Sequence, residues 1–264
     1  MSVPALQGRR QSLKVLFLEQ CIQYGYEGVD KSATFVSQAG PHLKRQFPQV
    51  TVRLDLKHLY HPKGLKAILK HRLLFSRPDV VVISVVATFA AAYTRVNLLY
   101  EIAPEVVDTA RSFLQKVEAK GAGRRQVNAG TSLDRFLSWH PPLALDEYER
   151  LVNEGIELCQ AAGCRVVLLG PGRFNDDADM AGYAAPSPEL WSSVNEMVRG
   201  LSRARGVAMV DCSGALSEHG GEVFLRDNIR YSPFGHQVLA QEVARVLGSE
   251  IITLLGPTAA RADL

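Results

Sequence analysis

Short, nearly unbroken apolar runs recur along the chain: Leu13-Lys14-Val15-Leu16-Phe17-Leu18, Val50-Thr51-Val52-Arg53-Leu54, Val80-Val81-Val82-Ile83-Ser84-Val85, Arg165-Val166-Val167-Leu168-Leu169 and Val207-Ala208-Met209-Val210. A strand with one wet face alternates apolar and polar positions, whereas a strand covered on both faces reads as a continuous apolar run. The five runs therefore predict buried strands of one sheet. Between them, apolar residues return at helical spacing over 64–74, 145–161, 188–203 and 235–247. The middle two of these close on Ala162-Gly163 and Arg205-Gly206, the punctuation expected where a helix stops before a strand. Strands alternating with helices imply right-handed βαβ crossovers. The expected fold class is α/β: a three-layer α/β/α sandwich around a central, mostly parallel five-stranded sheet. Ligands in such sheets gather at the carboxyl ends of the strands.

One segment exceeds what that alternation needs. Residues 90–142 add an apolar, helix-like stretch over 96–117, then Lys120-Gly121-Ala122-Gly123-Arg124-Arg125, then a second candidate helix around 133–139. An insertion of that length is either a lid, binding loop or assembly surface, or a solvated excursion packed on the rim; the 96–117 face is the candidate for a homodimer contact. The organisation expected is an N-terminal extension over 1–12, a single domain over 13–250 carrying the insertion, and a flexible tail over 251–264.

The chain has 264 residues, 47% of them hydrophobic, enough for one large domain with a well-buried sheet. Its net charge of +3 is too mild for the concentrated basic stripe that nucleic acid requires, so no nucleic-acid partner is expected. No stretch reaches the roughly 20 apolar residues of a membrane span, and the run at 13–18 is too short for a signal peptide. The four cysteines, Cys21, Cys159, Cys164 and Cys212, form no CxxC pair; reduced thiols, no metal and a cytoplasmic location are the expectation. No cofactor is expected either, because GxGxxG is absent and Lys120–Arg125 lacks the ending of a phosphate-binding loop. Asn175-Asp176-Asp177-Ala178-Asp179 lacks the glycine and distal glutamate of a calcium loop and reads as a solvated acidic loop. Gly170-Pro171-Gly172-Arg173 reads as an anion cradle or a plain turn.

Three blocks carry a family resemblance. The first strand and its loop, Val15-Leu16-Phe17-Leu18-Glu19-Gln20-Cys21-Ile22, are similar to the opening strand and Gly-Asp-Ser-Leu block of the SGNH (GDSL-type) hydrolases. In that register Glu19 and Gln20 replace Gly and Asp, and Cys21 takes the position of the nucleophilic serine. The third strand runs into Val86-Ala87-Thr88-Phe89, which resembles the Gly-x-Asn-Asp block with Thr88 at the oxyanion-hole asparagine. Asp227-Asn228-Ile229-Arg230, followed by Ser232-Pro233-Phe234-Gly235-His236, resembles the family's Asp-x-x-His block and the start of its last helix. Asp227 is retained there, and Arg230 stands at the catalytic histidine. The resemblance implies a flavodoxin-like topology and ester chemistry; Glu19, Gln20, Thr88 and Arg230 are the ligand-binding candidates, and Cys21 and Asp227 the catalytic ones.

The substitutions change what the site can do. Arg230 cannot serve as a base, because a guanidinium stays protonated at physiological pH; beside Asp227 it forms a structural ion pair or faces an anionic ligand. An oxyanion donor lost at Thr88 costs roughly 10²–10³ in rate, although the threonine keeps a hydroxyl. Cys21 is either a thiol nucleophile, which needs less activation than a serine, or a small apolar filler at a strand end. His58 and His61, just after the second strand, are the candidate relocated bases, with a purely solvated role as the alternative; His236 is expected to pack rather than react. Two functions follow: a repurposed, noncatalytic protein binding a small acyl or glycan-like ligand or a protein partner, or a Cys21-dependent esterase, thioesterase or acyltransferase.

Overall fold

A computed structural model describes residues 12–19, 29–59, 61–91, 143–172, 188–225 and 231–256. Among these residues five strands form one sheet: β1 (Ser12–Glu19), β2 (Thr51–His58), β3 (Val80–Ser84), β4 (Arg165–Leu169) and β5 (Ala208–Val210). All pairings are parallel and the spatial order is β2-β1-β3-β4-β5. The connecting helices are α1 (Phe35–Gln46), α2 (Leu65–Phe75), α3 (Thr88–Ala91), α4 (Leu145–Ala161), α5 (Pro188–Arg205), α6 (Cys212–Ser217) and α7 (Pro233–Leu255).

Period-two alternation divides each central strand between two cores. Leu16 and Leu18, Val81 and Ile83, and Val166 and Leu168 pack against Leu65 and Leu69 of α2, Tyr148 and Val152 of α4, and Val194 and Val198 of α5. Val15 and Phe17, Val80 and Val82, and Val167 and Leu169 meet Phe35 and Leu43 of α1 and Leu239, Val243 and Leu247 of α7. Both faces of β1, β3 and β4 are thus covered, which is why their sequences read as unbroken apolar runs. The three-layer α/β/α sandwich is present, with every strand parallel.

Several boundaries differ from the sequence reading. Strand β2 continues past Leu54 to His58, paired with β1 from Ser12↔Thr51 to Glu19↔His58. It is an edge strand, so its second half (Asp55, Lys57, His58) carries charge where a central strand would be apolar. Helix α1 had no counterpart among the expected helices; Gly40 and Pro41 lie inside it. The last helix runs to Leu255 rather than 247, so 251–255 are helical and Gly256, at φ 80°, closes it. Its extra turns carry Glu250, 7% exposed, which pairs with Arg165 at 2.5 Å. The 96–117 segment and most of the insertion lie outside the described residues. Among the described residues no helix is long and apolar enough to cross a membrane.

Candidate functional site

The strand order fixes where a site can form. From β1 the chain moves to one side, to β2; from β3 it moves to the other, to β4, so the topological switch point lies between the carboxyl ends of β1 and β3. Glu19 ends β1 and Ser84 ends β3, each 3% exposed. Ser84 Oγ donates to Glu19 Oε1 at 3.0 Å, and the Glu19 carbonyl accepts the Leu59 N–H at 2.8 Å. One buried carboxylate residue therefore joins the ends of β2, β1 and β3.

The chain leaving β3 is held just as closely. Val85 N–H donates to the Leu169 carbonyl at 2.9 Å. Tyr148 of α4, fully buried, places its hydroxyl 3.2 Å from Val86 N, as acceptor, and 3.3 Å from Val86 O, as donor. The backbone at the position matching the family's glycine is fixed by a tyrosine that no motif singles out. Its signal is only a helix position inside an amphipathic pattern. Thr88 then opens α3, and the Phe89 and His61 rings meet in a T-shaped arrangement with centroids 5.6 Å apart.

The two candidate histidines have different surroundings. His61 is 5% exposed and caps the 3-10 turn Pro62–Gly64, its Nδ1 accepting the Lys63 N–H at 3.1 Å. In the neutral ring the proton then sits on Nε2. His58 ends β2 beside Glu19 and is half-buried. Desolvation, then the neighbouring Lys57 charge, hold its imidazolium pKa below the ordinary 6.5. Its ring is therefore neutral at physiological pH.

The flanks of the Asp-x-x-Arg block are anchored at the end of β4. An antiparallel bridge pairs Phe224 with Tyr231, the described residues on either side of that block. A Cβ on Gly172 would stand 1.3 Å from the Tyr231 hydroxyl, so this contact exists only because residue 172 is glycine. The Gly172 carbonyl accepts Trp191 Nε1–H at 2.7 Å, and Gly170 N–H donates to Val210 O at 3.0 Å; both groups of this turn are spent on structure. His236 is 2% exposed, accepts the Phe35 N–H on Nδ1 at 3.3 Å and stacks on the Phe35 ring. It packs, as its place in the last helix implied. Ser232 caps that helix, accepting the Gly235 N–H at 3.1 Å.

The structure thus places Glu19, His58 and His61 along the carboxyl edge of β2, β1 and β3. Gln20, Cys21, Asp227 and Arg230 lie outside the described residues, as does the Thr88 side chain. The other three cysteines are buried, with Cys159 pushed up by desolvation to about 12 and Cys212 also well above the usual thiol range. Among the described residues no group of three or more His, Cys, Asp or Glu is arranged to hold a metal ion.

No family model matches the chain, and no curated protein matches it significantly. Solved structures do. A lipase/acylhydrolase from Enterococcus faecalis superposes with a TM-score of 0.58 at 14% identity, covering 90% of this chain and 96% of that one. An acetylxylan esterase from Geobacillus stearothermophilus superposes with a TM-score of 0.57 at 15% identity, covering 91% and 95%. Structures of that esterase described as catalytic mutants replace a serine, an aspartate and a histidine, the last two three residues apart. At such identities the likeness speaks for architecture alone, and it agrees with the strand order above: the chain has the SGNH-hydrolase-like α/β/α fold of these esterases and acylhydrolases.

Proposed function

We propose that the chain is a repurposed, noncatalytic member of this fold that binds a small acylated ligand, such as an acetylated glycan, at the carboxyl ends of β1 and β3. The observation that carries this reading is the use made of two histidines, His236 and His61. His236, the nearest in sequence to the Asp227-x-x-Arg230 block, is buried with Nδ1 committed to Phe35, and His61 is buried with Nδ1 committed to Lys63. In each ring the Nδ1 lone pair is taken up by a backbone N–H, and a nucleophile's base needs that lone pair for the proton it removes. Arg230 is a permanent cation where a proton acceptor is required. In this reading Arg230 and Thr88 donate to the ligand's carbonyl or hydroxyl oxygens, Gln20 supplies amide contacts, and Glu19, held by Ser84, positions the β1 end. Titration calorimetry with acetylated xylo-oligosaccharides tests it: binding is expected in the wild type, kept in Cys21→Ala and weakened at least about tenfold in Arg230→Gln, since a hydrogen bond to a charged group contributes about 1.5–3 kcal/mol. Wild-type and Arg230→Gln proteins that bind equally, or not at all, overturn it.

One observation favours a second reading. His58 has the depressed pKa of a ring that stays neutral, and it stands in register with Glu19, two residues before Cys21. A Cys21 thiolate formed with His58 as base makes the chain an esterase, thioesterase or acyltransferase, and it predicts rapid Cys21 alkylation that falls in His58→Gln.

A further inference from the structure

The opposite edge of the sheet carries a surface that neither reading uses. Helix α2 returns antiparallel to the strands, so its C-terminus emerges beside the amino end of β1, where Lys14 Nζ donates to the Ser76 carbonyl at 3.1 Å. Leu65 and Leu69 face the core. The outer face sets Lys70 over Leu74 and His71 over Phe75, each pair four residues apart, with the two rings 4.7 Å apart. Leu74 is 65% exposed and Phe75 70%, the most exposed large apolar side chains among the described residues. Arg77, also exposed, follows at φ 46°. Alongside lies a cleft of about 240 Å³ lined by Lys14, Arg53, Asp55, Ser76 and Pro78, among others. Of the carboxylates facing it, Asp55 is shared between Lys57 at 3.6 Å and Arg72 at 3.8 Å, and Asp79 accepts the Lys14 N–H.

We propose that this face docks on an anionic lipid surface, with Phe75 and Leu74 entering at headgroup level and Lys70, Arg77, Arg53 and Lys14 against the lipid phosphates. The shape and the charge favour lipid over a protein partner. Two adjacent apolar side chains protrude from a helix end between Lys70 and Arg77 in sequence and beside the cleft that Lys14 and Arg53 line, which matches a layer that is anionic at its surface and apolar beneath. Either signal alone gives marginal binding, and both are present here. The candidate site lies at the other edge of the sheet, at the carboxyl ends of the strands.

Sedimentation of the full chain with phosphatidylcholine vesicles, with and without phosphatidylserine, tests this. Binding is expected only with phosphatidylserine and is released by salt. Lys70→Gln with Arg77→Gln lowers affinity roughly thirtyfold, about fivefold per surface cation, and Leu74→Ser with Phe75→Ser lowers it at least about tenfold. All four side chains are exposed, so wild-type melting curves are expected as the control. No binding to either vesicle, or phosphatidylserine binding unchanged in both double variants, overturns the proposal. So does a wild-type dimer that ignores lipid and becomes monomeric in Leu74→Ser with Phe75→Ser.

Discussion

Two glycine-to-alanine substitutions should move stability in opposite directions, because the structure gives their methyl groups opposite surroundings. At Gly200, inside α5, an added Cβ meets no atom within 4 Å. Only the backbone term remains, and alanine is favoured over glycine in a helix interior by about 0.5–1 kcal/mol. At Gly235, in the first turn of α7, the Cβ would stand 2.1 Å from the Val223 carbonyl oxygen and 3.0 Å from its carbon. That contact is with backbone and cannot be relieved by a rotamer change. The same carbonyl accepts the Ser232 N–H at 2.9 Å, and Ser232 Oγ bridges the Glu222 carbonyl at 2.7 Å and the Gly235 N–H at 3.1 Å. Moving Val223 aside therefore strains both the cap and the 3-10 turn Gly220–Val223. Overpacking costs about 1–3 kcal/mol and a weakened cap about 1 kcal/mol, against a propensity gain of at most about 1 kcal/mol. Urea unfolding should show Gly235→Ala destabilised by about 1–3 kcal/mol and Gly200→Ala stabilised by about 0.5–1 kcal/mol. Two alanine variants that shift stability the same way would refute the packing assigned to the start of α7.

His236→Ala should destabilise by about 2–4 kcal/mol, since it removes a buried ring and strands the Phe35 N–H; unfolding at neutral pH checks it. His58 should contribute a pH dependence of known sign. Its folded pKa lies below the unfolded value of 6.5, so the unfolded chain binds the extra proton and stability falls as pH drops through 6.5 towards the folded pKa. That slope should flatten in His58→Gln when melting is followed against pH. Cys159, Cys164 and Cys212, all buried with raised thiol pKa values, should resist alkylation at neutral pH in the folded chain and react on denaturation, as peptide mass mapping will report.

The architecture was legible wherever burial on two faces writes a continuous apolar run. Strands β1, β3 and β4 appear within a residue or two of their runs, and α4 at its full span, because each has one dominant environment. Edges and mixed environments hid the rest. The charged second half of β2 is backbone-paired to β1 but sits on a sheet edge. In α1, Phe35, Val36, Ala39 and Leu43 form a buried stripe, yet Ser37, Gly40 and Pro41 among them give the segment the composition of a loop. Glu250 interrupts the pattern of the last helix and is explained only by Arg165, 85 residues earlier in sequence. At the candidate site the blocks located the strand ends. They could not show that Glu19 bonds to Ser84, that Tyr148 holds Val86, or that Gly172 makes room for Tyr231, because those partners are distant in the chain and carry no motif of their own.

The central claim is that the fold of an acylhydrolase is kept here without its turnover. Hydrolysis and acyl transfer across short and long acyl esters and thioesters, in the wild type and in Cys21→Ala, test it most directly. The account predicts no turnover, or the same residual rate in both proteins; turnover in the wild type that is lost in Cys21→Ala would contradict it and make Cys21 the nucleophile.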